Sequence, residues 1–331
     1  MKILITGGAG YIGSHVIKLL YRELKEKAEI LVLDNLSYGH KEAVLYGKLV
    51  LGDIRDRKLL RKIYEEFSPD VIMHFAAFIS VPESVEKPLM YWENNVGGLI
   101  SLLYELEPYL KTKKVRFVFS STAAVYGEPE SVPISEESKT EPINPYGQSK
   151  LACEKILRDF SHAQKNFSYV SLRYFNVAGA DPDGEIGQSY KNPIHLISRL
   201  LKVAKGEIEF LEIYGTDYPT KDGTCIRDYI HVFDLAWSHI LAMNYLLDGG
   251  KNDVFNVGYC SGFSVLEVVR TAEKVIGREL PKRFAPRRPG DPAVLIADNK
   301  KIKSILNFSE KFNDLEFIIK TAWNWELKRR Y

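Results

Sequence analysis

Cysteine is scarce in this 331-residue chain: Cys153, Cys225 and Cys260 are odd in number and far apart. They form no disulfide framework and no thiolate set for zinc, which predicts a reducing compartment. An excess of one charge is also missing, with Lys+Arg at 45 against Asp+Glu at 43. Such a balance excludes a dedicated basic face for nucleic acid. Long apolar runs are lacking too. The longest charge-free stretches, Ile3 to Ile17 and Val254 to Leu266, contain Gly and Ser and fall short of the ~18 apolar residues of a membrane span. The amino-terminal apolar run has no small-residue cleavage site after it. None of the seven histidines stands at a metal-ligand spacing, and there is no internal repeat. The expected setting is cytoplasmic, with no metal, no membrane and no nucleic acid.

At about 150 residues per domain, the length suits two domains, or one large α/β unit with a lobe attached. The first 175 residues alternate between short apolar runs and segments of helical period. The runs are Lys2–Thr6, Ile30–Asp34, Leu49–Leu51, Val71–His74, Val115–Ser120 and Tyr169–Tyr174. The helical segments are Ser14–Leu24, Lys58–Glu66, Val96–Leu110 and Tyr146–Ala163. Runs apolar on both faces, joined by helices, predict a Rossmann-type doubly wound parallel sheet.

Beyond Asn176 the pattern loosens. Gly179–Asn192, Tyr214–Arg227 and the basic Phe284–Pro292 stretch read as loops. Helices are expected at Ile194–Lys205, Asp234–Leu247, Val265–Ile276 and from Asn313 onward, with a strand at Val254–Val257. The division is a cofactor-binding domain over 1–175, with the helix near 233–247 packed on it, and a smaller, loop-rich α/β lobe over 176–331 that holds substrate. Loops on a rigid scaffold are where specificity resides.

The stretch Ile3-Leu-Ile-Thr-Gly7-Gly-Ala-Gly10-Tyr-Ile-Gly13 is strand, glycine turn and helix start. Gly7 allows the tight turn, Gly10 lets a pyrophosphate approach the helix N-terminus, and Gly13 permits close packing of helix on strand. Asp34, 21 residues after Gly13, ends the second strand. A carboxylate there suits a ribose 2′-hydroxyl and repels a 2′-phosphate, so NAD is favoured over NADP. Asp53-Ile54 follows the third strand; Asp53 is either an acceptor for the adenine amino group or a plain loop aspartate. The small residues of Phe75-Ala76-Ala77 leave room for a cofactor at the sheet edge.

Tyr146-Gly-Gln-Ser-Lys150 stacks a phenol and an ammonium on one helix face. The positive charge is expected to lower the phenol from its usual pKa near ~10 towards the range of a general base. Upstream, the strand ending Ser120-Ser-Thr122 carries three hydroxyls to the same region.

These motifs together resemble the extended short-chain dehydrogenase/reductase family over nearly the whole chain. More narrowly, they are similar to its UDP-glucose 4-epimerases, also called UDP-galactose 4-epimerases. The narrowing residues are His74-Phe-Ala-Ala, Glu83-Ser-Val-Glu-Lys-Pro88, Asn94-Asn-Val96, Arg173-Tyr-Phe-Asn176, Phe284-Ala-Pro-Arg-Arg288 and above all Asp222–Val232. The resemblance implies that Tyr146 takes the proton of a sugar 4-hydroxyl while C4 passes a hydride to bound NAD. The 4-keto sugar then turns over and receives the hydride on its other face. It further implies that Thr122 contacts that hydroxyl, that Lys150 holds the nicotinamide ribose, and that NAD stays bound and is regenerated each cycle.

By the same resemblance, NAD contacts come from Tyr11, Ile12, Asp34, Asn35, Ser37, Asp53, Ile54, Phe75, Ala76, Asn94 and Phe175, beside the glycines, Ala77 and Ser120. Ile79 departs from the pattern, since some members place a lysine there. The UDP-hexose falls to Asn176, His195, Leu196, Tyr214, Arg227, Arg288 and Asp291, the arginines supplying fixed charge for the diphosphate. At position 294 the family's tyrosine confines the pocket to hexoses. Val294 is smaller and predicts that UDP-GlcNAc and UDP-GalNAc are also accepted. Members usually dimerise through a four-helix bundle, which points to a homodimer through Val96–Leu110 and Tyr146–Ala163.

Other readings are weighed on the same residues. A 4,6-dehydratase places Asp-Glu after the active-site Thr, whereas Ala123-Ala124 follow Thr122. A 4-keto reductase more often uses NADP, against Asp34. A non-catalytic NAD-sensing protein has no need of the Tyr146–Lys150 pair. A 4-epimerase of a uronate or pentose stays open. His74, Cys153, Trp323 and Trp325 are read as structural, His231 and His239 show no partner, and Lys111–Lys114 reads as a solvated loop.

Overall fold

The computed structural model describes residues 1–288 and 291–331; residues 289 and 290, within the expected Phe284–Pro292 loop, lie outside the described residues. Strand β1 (Lys2–Thr6) is apolar on both faces, so it is covered on both. Ile3 and Ile5 meet one layer, with Val16, Ile17 and Leu20, and Leu4 meets the other, with Leu60, Leu99 and Leu102. Beside β1 lie β2 (Glu29–Asp34), β3 (Lys48–Leu51), β4 (Val71–His74), β5 (Val115–Thr122) and β6 (Phe167–Tyr174). All pair in parallel, and helices α1 (Tyr11–Leu24), α2 (Arg57–Phe67), α3 (Val81–Glu86), α4 (Pro88–Tyr91), α5 (Gly98–Leu106) and α6 (Pro145–Ala163) join them. The expected doubly wound parallel sheet is therefore present.

Two departures carry information. The helix expected over Val96–Leu110 is interrupted, with a π-helical turn at Trp92–Gly97 leading into α5. That turn buries Asn94 and Asn95, and Asn95 bonds the Phe78 main chain at 2.8 and 3.1 Å and the Ser149 hydroxyl at 3.0 Å. Such turns recur at functional sites because they redirect side chains within a helix. The second departure is the strand expected within the later half, which crosses back.

The later half begins with β7 (Asn176–Ala178), α7 (Leu196–Ala204), β8 (Leu211–Tyr214), β9 (Ile226–Arg227), β10 (Tyr229–His231) and α8 (Val232–Leu247). Next comes β11 (Asp253–Val257), which pairs in parallel with β6 and makes a seventh strand, giving the order β11-β6-β5-β4-β1-β2-β3. Helix α8 packs on α1 and on β5 and β6. The remaining elements are β12 (Phe263–Ser264), α9 (Val265–Ile276), β13 (Lys282–Ala285), β14 (Val294–Leu295), α10 (Lys300–Leu306) and α11 (Leu315–Lys328). Small sheets pair β7 with β10, β8 with β13, and β9 with both β12 and β14. Helix α10 and most of these short strands have too few residues for a period to show in sequence. Among the described residues, no helix is long and apolar enough to cross a membrane.

Candidate active site

Strand order reverses beside β1, and the crevice outside the carboxyl ends at such a point is where open α/β sheets take ligands. Gly7 makes the turn there at φ +73°, and a Cβ on it would lie 2.5 Å from the Ala76 amide nitrogen. Only a glycine lets the turn after β1 press against the end of β4. A Cβ at Gly13 would lie 2.6 Å from the Gly7 carbonyl oxygen, so α1 also starts flush against the turn. Gly10 caps α1 with no side-chain bond, leaving the helix N-terminus open to an anion.

An open groove lies over this turn. Of the residues expected to hold a cofactor, Gly7, Gly10, Tyr11, Ile12, Gly13, Asp34, Asn35, Ser37, Ile54, Phe75, Ala76, Ala77, Asn94 and Ser120 line it. The Asp34 carboxylate accepts from the Ala9 and Leu36 amides at 2.9 and 2.8 Å, and burial raises its pKa. Asp53 is placed differently. Its carboxylate is held by Arg55 at 2.8 and 2.9 Å and by the Asn35 amide at 3.0 Å, which pulls it down to about 2, while its neighbours Gly52 and Ile54 line the groove. Phe175 packs with Val125, Tyr126 and Ile134 beneath the strand ends. Tyr38, Phe78, Ile79 and Tyr190 also line the groove. Tyr190 sits in a loop with no period, so no sequence signal pointed to it.

Asn144 accepts from the Gly147 amide at 2.9 Å and caps α6, with Pro145 as its first residue. That start sets Tyr146 and Lys150 one turn apart at the carboxyl end of β5. The Thr122 hydroxyl accepts from the Ala124 amide at 3.2 Å and lies beside the Tyr146 phenol, close enough to oppose the rise in its pKa. Lys150 is buried and donates to the Ser120 carbonyl at 2.7 Å, 5.0 Å from the centre of the Phe119 ring. The expected charge effect is corrected here. Burial raises Tyr146 to about 12, with only Thr122 opposing it, and burial lowers Lys150 to about 8. The ammonium is drawn to a carbonyl and is itself partly discharged, so it does not hold the phenol down.

On the substrate side, His195 caps α7 beside Leu196 and is lowered to about 4 by burial. It lines a second, smaller pocket, which shares Tyr11 with the groove. Asn176 pairs with Tyr229 across β7 and β10, two residues from Arg227. Arg227 is ion-paired with Asp291, and the Arg288 guanidinium stacks 3.8 Å over the Tyr214 ring. Val294 is half-buried on β14, beside the Arg227 strand.

The residues read as structural are anchored. His74 bonds Thr6 at 2.6 Å, Cys153 lies in the core with its thiol 3.4 Å from the Asn95 carbonyl, and Trp325 donates to the Gln188 carbonyl at 3.0 Å. His231 and His239 do have partners: His231 caps α8 and meets Thr321 at 3.2 Å, and His239 meets Tyr174 and the Leu235 carbonyl. Asp181, Asp183 and Glu185 form a cluster of metal-ligand type. The Lys18 ammonium already fills it, at 2.5, 3.0 and 2.6 Å from the three carboxylates.

The parallel sheet, the glycine turn and the Tyr146–Lys150 pair at the end of β5 define an extended short-chain dehydrogenase/reductase. The family described as GDP-mannose 4,6 dehydratase matches residues 4–321. A UDP-glucose 4-epimerase of Lacticaseibacillus casei is 49% identical, over 98% of this chain and 96% of that protein. The structure of UDP-glucose 4-epimerase from Brucella ovis in complex with NAD has a TM-score of 0.92 at 45% identity, covering 97% of each chain. That of the UDP-Glc/GlcNAc 4-epimerase from Campylobacter jejuni has a TM-score of 0.85 at 46% identity, covering 99% of each. The chain belongs to this family and, within it, to the UDP-glucose 4-epimerases.

Proposed function

We infer that this chain interconverts UDP-glucose and UDP-galactose by NAD-dependent 4-epimerisation through a 4-keto sugar. The observation that carries the reading is that Ser120, which lines the dinucleotide groove, stands on the same strand end as Thr122, whose hydroxyl lies beside the Tyr146 phenol. The groove fits NAD: glycine leaves open the start of α1, and the Asp34 carboxylate disfavours a 2′-phosphate. When bound, NAD supplies a reversible acceptor for the hydrogen on C4 and, in its oxidised form, a positive charge that favours the Tyr146 phenolate.

Tyr146 takes the proton of the 4-hydroxyl and returns it to the same oxygen after the sugar has turned, so no proton is consumed overall. Thr122, beside that phenol, orients the hydroxyl. Lys150 ties α6 to β5 and faces the ribose. Arg227 and Arg288 hold the diphosphate, with Asn176, His195, Leu196, Tyr214 and Asp291 around the nucleotide and sugar. Elimination of water needs an acid and base after Thr122, and Ala123-Ala124 are there instead. The relative from Campylobacter jejuni bears both hexose and N-acetylhexosamine in its name, and half-buried Val294 supports the same breadth here.

The assembly is a cytoplasmic homodimer of a two-part chain, 1–175 for cofactor and 176–331 mainly for substrate. Exposed Ile100 and Tyr104 give α5 an apolar outer strip, whereas α6 exposes Lys155, Arg158 and Asp159. Tyr146→Phe tests the chemistry. It should lower turnover of UDP-galactose roughly 10²–10⁴-fold with NAD still bound, and unchanged turnover contradicts the role of the phenol.

A further inference from the structure

The chemistry above makes no use of His239. This residue is wholly buried on α8. Its ring lies 4.8 Å from that of Phe75, which lines the cofactor groove, so it stands one layer behind the groove wall. Its Nδ1 is 2.8 Å from the Leu235 carbonyl oxygen. A carbonyl only accepts, so Nδ1 carries the ring proton. Burial lowers the ring to about 4, so it is neutral near neutral pH and Nε2 is a bare lone pair. The Tyr174 hydroxyl meets Nε2 and must therefore donate to it.

The direction of the next bond follows. The parallel register pairs Ser120 with Leu172 and Thr122 with Tyr174, which puts Ser120 and Tyr174 on one face of the sheet, a diagonal apart. A long side chain spans that separation, and the Ser120 hydroxyl stands close enough to the Tyr174 oxygen to oppose the rise in its pKa. With the Tyr174 proton committed to His239, the Tyr174 oxygen can only accept, so it offers the acceptor for a Ser120 proton turned inward. Ser120 lines the groove, and in that arrangement its hydroxyl turns only lone pairs to it.

We propose that His239 is a positioning residue that sets the direction of the chain Ser120–Tyr174–His239–Leu235, so that Ser120 meets the cofactor only as an acceptor. That acceptor matches the amide N–H of a nicotinamide carboxamide. The proposal rests on the reading that the groove holds a nicotinamide cofactor. Without the histidine the chain reverses: Tyr174 donates to Ser120, and Ser120 presents its own proton to a donor.

The test compares His239→Leu, His239→Gln and Tyr174→Phe by release of labelled NAD from the holoenzyme and by the kcat and KM for UDP-galactose. The Gln carboxamide oxygen can accept from Tyr174, and Leu cannot. Release should speed up about tenfold in the Leu and Phe variants, with a similar fall in kcat and no change in KM, and Gln should recover to within about threefold of wild type. In wild type, ¹⁵N NMR should show the His239 ring protonated at Nδ1 and bare at Nε2 from about pH 5.5 to 8. A protonated Nε2, unchanged release in the Leu variant, or a Gln variant no better than Leu with the same melting temperature would each overturn the proposal. If the Leu variant does not fold, Tyr174→Phe and the wild-type ring tautomer decide. A wild-type protein that exchanges NAD but leaves UDP-galactose unchanged contradicts the epimerase reading, while release and tautomer still report on this chain of bonds.

Discussion

Arg173 and Glu154 form a buried, two-pronged ion pair between β6 and α6, with Nη2 to Oε2 at 2.7 Å and Nε to Oε1 at 3.0 Å. Arg173 also donates to the Tyr126 hydroxyl at 2.9 Å, and Ser121 donates to Glu154 at 2.5 Å. Glu154 lies one turn beyond Lys150, so the pair fixes α6 against the strand ends that carry the hydroxyls. Removing one partner leaves the other buried and unpaired. Arg173→Met or Glu154→Gln should each cost about 3–5 kcal/mol in urea unfolding, and the double substitution Arg173→Met with Glu154→Leu should recover a large part. A loss below about 1 kcal/mol in both single variants would show that the pair does not anchor the helix.

Lys150 is held at a cost to stability. Burial lowers it to about 8, whereas in the unfolded chain it titrates near ~10.4. Between those values the unfolded chain holds the proton and the folded chain does not, so stability rises with pH across that window. Below about 8 the full penalty is present, roughly 3 kcal/mol, and Lys150→Met removes it at the loss of about 1 kcal/mol for the bond to the Ser120 carbonyl. The variant should be more stable than wild type by roughly 2 kcal/mol at pH 7, with the gain fading towards pH ~10.5 and epimerisation lost. A variant less stable at pH 7, or a gain independent of pH, contradicts this account.

The proposed breadth of substrate rests on Val294. Val294→Tyr should abolish conversion of UDP-GalNAc while leaving UDP-galactose turnover within about threefold, since only the added N-acetyl group meets the larger side chain. Equal loss of both sugars would place Val294 elsewhere than beside C2.

The main sheet was legible in sequence because each of its first six strands is apolar on both faces and bounded by helical period; Lys2–Thr6 and Val71–His74 agree to the residue. The seventh strand was visible as Val254–Val257 but not its place, because pairing with β6 is a contact across some eighty residues. The groove was legible where glycine spacing carries meaning. It was not legible at Tyr190, whose loop has no period, nor at Asp53, whose partner Arg55 is two residues away and competes for its carboxylate. The Tyr146–Lys150 spacing was plain, but its electrostatics depend on burial and on where the ammonium points. Neither is written in a four-residue spacing.

The most direct measurement is proton NMR of UDP-galactose incubated with purified protein and no added cofactor. The account predicts that the UDP-glucose anomeric signal appears and grows to equilibrium, from NAD that purifies with the chain. A spectrum that stays unchanged, with NAD added as well as without it, would contradict 4-epimerisation of this sugar.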